Sequence, residues 1–153
     1  MIEKAKIADP PAILAIVNHF AQRELMLPRS LNDVYEALRD FFVYREDGRI
    51  IGCVALHISW QGLGEVRSLA VVQEAQNRGV GTELVRRCLD EAMEMGMRHV
   101  FALTYRPEFF KKLGFVDYPK EKLPHKIWTD CLRCPRFPEC NEVAVMKDLP
   151  PGG

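Results

Sequence analysis

The stretch that decides the fold is EVRSLAVVQEAQNRGVGT, which occupies residues 65–82. Its first part, Glu65 to Val72, is β-rich and predicts a strand. A helical repeat of apolar side chains follows from Val80 to Met95. Gly79 and Gly81 stand at the junction, where glycines let backbone N–H groups approach a bulky anion and the helix N-terminus adds partial positive charge. The stretch therefore predicts a strand, a phosphate-binding loop and a helix, with a plain glycine-broken loop as the alternative.

Two β-rich runs lie immediately upstream of this stretch. Phe41 to Glu46 and Ile50 to Ser59 are joined across Asp47 and Gly48, a pair that tolerates positive φ and indicates a hairpin. With the strand from Glu65 they predict an antiparallel meander. The other predicted elements are, in chain order, a strand from Ile2 to Ala8, a helix capped by Asp9, a short helix after Ser30, a strand from His99 to Leu103, a helix from Pro107 to Leu113 and a strand from Val143 to Met146. This order predicts a mixed α/β sheet.

Length and composition restrict the class of protein. The chain has 153 residues, 48% of them hydrophobic and 27% charged, which predicts a single globular domain over residues 1–149 with a tail at 150–153. The 21 basic residues balance 21 acidic ones, which argues against nucleic acid as a partner. The longest apolar run is too short to span a membrane. Five cysteines without a secretory signal favour a cytoplasmic location.

The glycine loop resembles a family motif. Gln76-x-x-Gly79-x-Gly81 resembles the Q/R-x-x-G-x-G/A motif of the GNAT N-acetyltransferase superfamily, and it follows a strand as in that family. The segment from Phe109 to Phe115 is similar to the family's later helix and Gly-Phe turn. The resemblance extends through Asp117. It implies the GNAT fold: an α/β, mostly antiparallel mixed central sheet flanked by helices and splayed between its fourth and fifth strands.

The same resemblance implies acetyl-CoA as the co-substrate. Its pyrophosphate is expected on the backbone of residues 78–82, and its pantetheine arm beside the strand from Leu69, in a gap opposite the strand from His99 to Leu103. The cofactor-binding residues that the resemblance implies are Leu69, Ala70, Val71, Val72, Gln76, Asn77, Arg78, Gly79, Val80, Gly81, Thr82 and Phe110.

Acetyl transfer to an amine requires a base, because an α-amino group with a pKa of about 8 is mostly protonated at neutral pH. Glu65 is the candidate, since the family's histone-acetylating branch has a glutamate at the matching place. Strand alternation predicts that Glu65, Arg67, Leu69 and Val71 share one face. The alternative for Glu65 is an ordinary surface residue paired with Arg67. The backbone N–H of Val71 is expected to polarise the thioester carbonyl.

The leaving thiolate is the step at which the sequence departs from the family. Many members carry a tyrosine on the helix before the Gly-Phe turn, and Phe110 occupies that position here. Tyr105, five residues earlier, is the candidate replacement acid. Departure without a dedicated acid is also open, because a thiol has a pKa of about 8.5.

Within the superfamily, the chain is similar to short bacterial amino-acid N-acetyltransferases that make N-acetylglutamate for arginine synthesis. The similar stretches are Leu27 to Ser30, Ile51 to Leu56, Gly64-Glu65 and Phe101 to Thr104. Two substrate carboxylates call for guanidinium donors. The predicted substrate-binding residues are Leu27, Arg29, Cys53, Arg67 and Lys126, with a solvated residue before a helix cap as the alternative for Arg29. Glutamine, a protein N-terminus and a polyamine stay open as acceptors, and so does a homodimer.

Three of the five cysteines lie in a proline-rich segment, residues 118–141, which is predicted to be a flap. Cys131, Cys134 and Cys140 have spacings that can hold zinc or an iron–sulfur cluster, and His125 could be a fourth ligand. Only three cysteines are local, so simple packing is favoured, while a metal site and a redox-sensitive thiol pair stay open. A non-catalytic, acetyl-CoA-binding metal or thiol sensor is the competing functional class. Cys53 and Cys88 lie in apolar patterns typical of a core.

Overall fold

A computed structural model describes residues 1–22, 30–124 and 143–150. Its strands form one sheet in the order β1-β2-β3-β4-β5-β7-β6, and only β4 and β5 are parallel neighbours. The strands are β1 (Ile2–Lys4), β2 (Phe41–Glu46), β3 (Arg49–Trp60), β4 (Leu63–Val71), β5 (His99–Thr104), β6 (Val116–Tyr118) and β7 (Val143–Asp148). The helices are α1 (Pro10–Gln22), α2 (Leu31–Glu36), α3 (Val80–Glu94) and α4 (Pro107–Lys111). The mixed, mostly antiparallel sheet predicted from the sequence is confirmed.

Local backbone chemistry explains two of these boundaries. Asp47 and Gly48 both have positive φ, at 52° and 77°, which confirms the predicted hairpin between β2 and β3. The first strand is shorter than predicted and ends at Lys4. It ends there because the N–H of Lys6 donates to the Asp9 carboxylate at 2.8 Å, which turns the chain toward α1.

The sheet is covered on both sides. On one side, here called the α3 face, α3 and α4 bury apolar residues against β3, β4 and β5. On the other, the α1 face, α1 and α2 pack over Phe41, Val43, Cys53 and Ala70. No helix within the described ranges is long and apolar enough to cross a membrane. The single unit over 1–149 and the flap at 118–141 stay predictions, because residues 125–142 lie outside the described part.

A β-bulge in β4 changes which side its residues face. Ser68 has φ of 56°, and the pairing with β3 shifts between Cys53 and Ala55. Before the bulge, Val66 packs on the α3 face, so Glu65 and Arg67 face the other way. After it, Leu69 and Val71 pack on the α3 face and Ala70 on the α1 face. The prediction that Glu65, Arg67, Leu69 and Val71 share one face is therefore wrong, because the extra residue reverses the alternation.

The parallel pair β4 and β5 separates after a short ladder. Leu63, Gly64 and Glu65 pair with His99, Val100 and Phe101, and the pairing stops there. β4 continues to Val71 and β5 to Thr104. A bulge bends its strand and increases the local twist, which turns β4 away from its neighbour. The splay predicted between the fourth and fifth strands is confirmed.

Candidate active site

The loop before α3 forms a cradle of backbone N–H groups. Gly79 is the residue that precedes the helix and has φ of 82°, and no side chain caps the helix there. The N–H groups of Val80, Gly81 and Thr82 have no partner inside the helix, as in any first turn. A Cβ at Gly79 would meet nothing within 4 Å, so the space beside it is open. These donors and the helix dipole suit an anion such as a phosphate.

The Arg78 side chain does not add its charge to this cradle. Its guanidinium donates to both Glu46 carboxylate oxygens, at 2.7 and 3.3 Å, at the end of the β2–β3 hairpin. The hydrogen bond from Arg78 lowers the pKa of Glu46, and the same bond raises the pKa of Arg78. Arg49 and Glu74 form a second ion pair between the hairpin and this loop, at 2.8 Å. The side chains of the loop thus tie it to the hairpin, and the backbone of the loop is left for a ligand.

The gap between β4 and β5 exposes the backbone of Val71. The N–H of Val72 donates to the Ile51 carbonyl at 2.9 Å, so Val72 turns its polar groups toward β3. Alternation then directs the N–H and carbonyl of Val71 toward the opposite edge, where β5 has already separated. The Gln76 side chain donates to the Val71 carbonyl at 3.1 Å. The N–H of Val71 is therefore directed into the gap, and its role in polarising the thioester carbonyl stays a prediction.

Glu65 lies on the α1 face, at the point where the two strands separate. It is buried, with 7% of its surface exposed, and the Arg67 guanidinium donates to Oε1 at 2.6 and 3.1 Å. The alternative of an ordinary surface glutamate is correct about the pairing and wrong about the exposure. The hydrogen bonds from Arg67 both end on Oε1. The carboxylate is thus buried and held by one cation.

The cross-strand partner of Glu65 and the residue bonded to that partner were not singled out by the sequence analysis. His57 of β3 is the direct cross-strand partner, and its Nδ1 is 2.9 Å from Oδ2 of Asp40. Asp40 ends the short 3-10 turn Leu38–Asp40, which precedes β2. The sequence shows a histidine within a β-rich run. Which residues lie beside that histidine depends on the register of the neighbouring strands.

The aromatic residues of α4 divide between the core and the cradle. Phe110 is 5% exposed and packs edge-to-face against Phe109 and Phe115, at centroid distances of 5.1 and 5.2 Å. A Cβ at Gly81 would lie 3.5 Å from the Phe109 ring and 3.9 Å from the Val71 side chain. The ring beside the cradle is therefore Phe109, whereas the structure places Phe110 in the core. Tyr105 is half-buried and follows the last residue of β5 directly.

Cys53 supports the bulge from the α1 face. Its thiol donates to the Ser68 carbonyl at a Sγ–O distance of 3.5 Å, and its backbone pairs with Ala70. Burial raises the pKa of Cys53 to about 12, so the thiol stays protonated and keeps its role as a donor. Cys88 is buried in α3, and burial raises its pKa as well. The prediction that both are core residues is confirmed.

The other predicted site residues lie outside the described ranges. They are Leu27, Arg29, His125, Lys126, Cys131, Cys134 and Cys140. Within residues 1–22, 30–124 and 143–150, no group of three or more metal-ligating side chains is present.

Comparison with known proteins agrees with this geometry. The Acetyltransferase (GNAT) family matches residues 13–115. An uncharacterized N-acetyltransferase of Chlorobaculum tepidum is 40% identical over 148 residues, or 97% of this chain and 96% of that protein. An amino-acid acetyltransferase of Mycobacterium tuberculosis is 32% identical over 136 residues, or 87% of this chain and 78% of the relative.

A solved structure extends the likeness to three dimensions. N-acetylglutamate synthase from Neisseria gonorrhoeae, complexed with coenzyme A and N-acetyl-glutamate, superposes with a TM-score of 0.89 at 28% identity. The match covers 98% of this chain and 35% of that one, so the chain corresponds to about a third of the Neisseria enzyme. Taken with the splayed strands and the glycine cradle, these similarities show that the chain belongs to the GNAT family of acetyltransferases.

Proposed function

We propose that this chain transfers the acetyl group of acetyl-CoA to the α-amino group of an amino acid, with L-glutamate as the preferred acceptor. The observation that carries the proposal is the buried Glu65–Arg67 pair beside the point where β4 and β5 separate. In this proposal Glu65 is the base, and it lies on the α1 face next to a gap whose edge presents a backbone donor.

The cradle and the gap suit the two ends of acetyl-CoA. The N–H groups of residues 80–82 would hold the pyrophosphate, with the Phe109 ring beside them. The pantetheine arm would lie along β4 in the gap, and the residues that the family resemblance implies there are Leu69, Ala70, Val71 and Val72. Gln76 would keep the edge in place through its bond to the Val71 carbonyl.

The reaction needs one proton acceptor and one carbonyl donor. Glu65 would take the proton of the incoming ammonium on Oε2, while Arg67 fixes the other oxygen. The freed amine attacks the thioester carbon, and the Val71 N–H stabilises the developing oxyanion, a contribution of a few kcal/mol. As the C–S bond breaks, the nitrogen loses its second proton and the leaving thiolate gains one. Tyr105 stays the candidate that would protonate the thiolate and take up the nitrogen's proton in exchange, so the step ends with the amide and free coenzyme A.

Recognition of the acceptor rests on cations outside the described ranges. The Nε and Nη2 edge of Arg67, which is the edge best shaped for a carboxylate, is already used by Glu65. We therefore assign Arg67 to orienting the base. Arg29, with backbone support near Leu27, and Lys126 are proposed to bind the two substrate carboxylates. The names of the Mycobacterium and Neisseria relatives support an amino acid as the acceptor class.

The test is a panel of acceptors with purified protein and acetyl-CoA. Mass spectrometry of the acetylated product avoids interference from the protein's own thiols. L-glutamate, L-glutamine, L-aspartate, spermidine and a short peptide are compared, and glutamate is expected to have the highest kcat/KM, at least about tenfold above spermidine. Acetylation of spermidine or the peptide but not of glutamate would refute the proposed acceptor.

A pair of variants tests the base. Glu65→Gln keeps the size of the side chain and is expected to lower kcat by about 100-fold or more while acetyl-CoA still binds, because general base catalysis contributes roughly 10²–10⁴-fold. Glu94→Gln at the exposed end of α3 is the matched control and should be silent. Equal activity of the two variants would remove Glu65 from the mechanism.

A further inference from the structure

Among the described residues, the strands around Glu65 place four neighbours on its own face of the sheet. Leu63 and Arg67 precede and follow it by two residues on β4, and His57 and Phe101 lie opposite it on β3 and β5. Side chains directly opposite each other on one face of a sheet have Cβ atoms roughly 4.5–5.5 Å apart, which is contact distance for long side chains.

Only one of these four neighbours can accept a proton. Leu63 and Phe101 are buried and apolar. The Arg67 guanidinium is a donor with no acceptor site and stays protonated in proteins. His57 carries a ring nitrogen with a lone pair whenever it is neutral. A proton that reaches the buried Glu65 carboxylate therefore has His57 as its one protein acceptor among these neighbours.

The orientation of the His57 ring suits that role. Its Nδ1 lies 2.9 Å from Oδ2 of Asp40, so the neutral ring donates Nδ1–H to the carboxylate and keeps its lone pair on Nε2. The His57 side chain is 38% exposed, whereas that of Glu65 is 10% exposed. Asp40, at 27%, is also partly open to water. His57 is thus the more exposed member of a cross-strand pair whose other member is a buried carboxylate.

We propose that His57, oriented by Asp40, is a positioning residue that acts through Glu65 by relaying its proton to solvent. The inference rests on the proposed role of Glu65 as the base. Glu65 gains one proton from the substrate ammonium and passes it to Nε2 of His57. The ring becomes an imidazolium that the Asp40 carboxylate stabilises. Release of the Nε2 proton to bulk water returns the neutral ring and the ionised Glu65, so charge and protons balance over one turnover.

The test compares His57→Ala and His57→Gln with a matched control. His99 on β5 makes the same kind of bond, from Nδ1 to Asp148 Oδ1 at 2.7 Å, and it is exposed and pairs with Leu63 rather than with Glu65. His57→Ala is expected to lower kcat by about 10- to 100-fold with KM for acetyl-CoA unchanged. His99→Gln is expected to change kcat by less than about twofold.

Rescue by imidazole separates a relay from a structural role. Imidazole in the assay should restore the kcat of His57→Ala in a saturable way and should not restore Glu65→Gln, which lacks the proton donor to the relay. Asp40→Asn should lower kcat less than His57→Ala does, because the ring remains.

The outcomes separate this inference from the proposed function. If the wild-type protein acetylates an amino acid but His57→Ala is as active, or its loss is not rescued by imidazole, the relay is refuted and the proposed function stands. If the wild-type protein acetylates no acceptor of the panel, the proposed function fails and the relay fails with it.

Discussion

Replacement of Gly79 by alanine isolates the contribution of the cradle to acetyl-CoA binding. Gly79 has φ of 82°, and an added Cβ would meet nothing within 4 Å, so the substitution introduces backbone strain without a clash. The left-handed conformation costs an L-residue roughly 1–2 kcal/mol. For a chain of this size, that corresponds to a decrease in Tm of about 2–8 °C.

Gly96 is the matched control for that strain. It has φ of 84° and an equally open Cβ position, and it follows the opposite end of α3. Gly96→Ala should therefore lose a similar free energy of unfolding while the cradle, about 20 Å away along the helix, is untouched. The two variants differ in where the strain lies and not in its kind.

The expected difference between the two variants lies in binding. Relief of the strain at residue 79 rotates the peptide groups that present the first N–H donors of α3. Loss of one hydrogen bond to a charged phosphate costs about 1.5–3 kcal/mol, which is an increase of about 10- to 150-fold in the Kd for coenzyme A. Titration calorimetry with coenzyme A measures the Kd, and urea unfolding measures the stability. If Gly79→Ala and Gly96→Ala bind coenzyme A within about twofold of each other, the phosphates do not lie on this loop.

Two further predictions concern the fold that supports the site. Burial raises the pKa of Cys53 to about 12 and also raises that of Cys88, so iodoacetamide at pH 8 should label neither residue until denaturant is added; peptide mapping that found Cys53 labelled in the native protein would contradict its place under the bulge. For Asp9, burial acts to raise the pKa, but hydrogen bonds from Arg45 and the Lys6 N–H, together with the charges of Arg45 and Lys6, hold it below its ordinary value of 3.8. A lowered folded-state pKa means that the ionised Asp9 stabilises the fold above about pH 4 and that this contribution is lost as the pH falls through the lowered value. Urea unfolding between pH 2 and pH 5 should therefore show a steeper loss of stability in the wild-type protein than in Asp9→Asn, and parallel curves would show that Asp9 has no such role.

The parts of the fold that the sequence predicted are those governed by neighbours along the chain. The Asp47-Gly48 turn, the glycine loop before α3 and the apolar stripe of α3 each depend on backbone preferences within a few residues. The family motif added the splay of the two parallel strands, which no local pattern contains. These features were sufficient to predict a phosphate-binding loop before α3.

The faces of β4 could not be predicted in this way. The sequence shows a regular strand from Glu65 to Val71, and alternation puts its odd-numbered residues together. Ser68 adopts a positive φ, which a serine has no intrinsic reason to prefer. Tertiary partners stabilise the bulge instead: the Cys53 thiol donates to the Ser68 carbonyl, and the pairing with β3 is shifted. That one residue separates the candidate base from the backbone that faces the gap.

By itself, therefore, the sequence determined the order of the elements, the glycine loop before α3 and the family of acetyltransferases to which the chain belongs. Only the tertiary structure decided that Glu65 is buried, that Phe109 rather than Phe110 lies beside the cradle, and that the cross-strand partner of Glu65 is His57, which is bonded to Asp40. The physical reason is the distance along the chain between the residues that interact. Turns, caps and helical stripes arise from interactions within about four residues, whereas the surroundings of a strand residue are set by the register of other strands, which are distant in the chain.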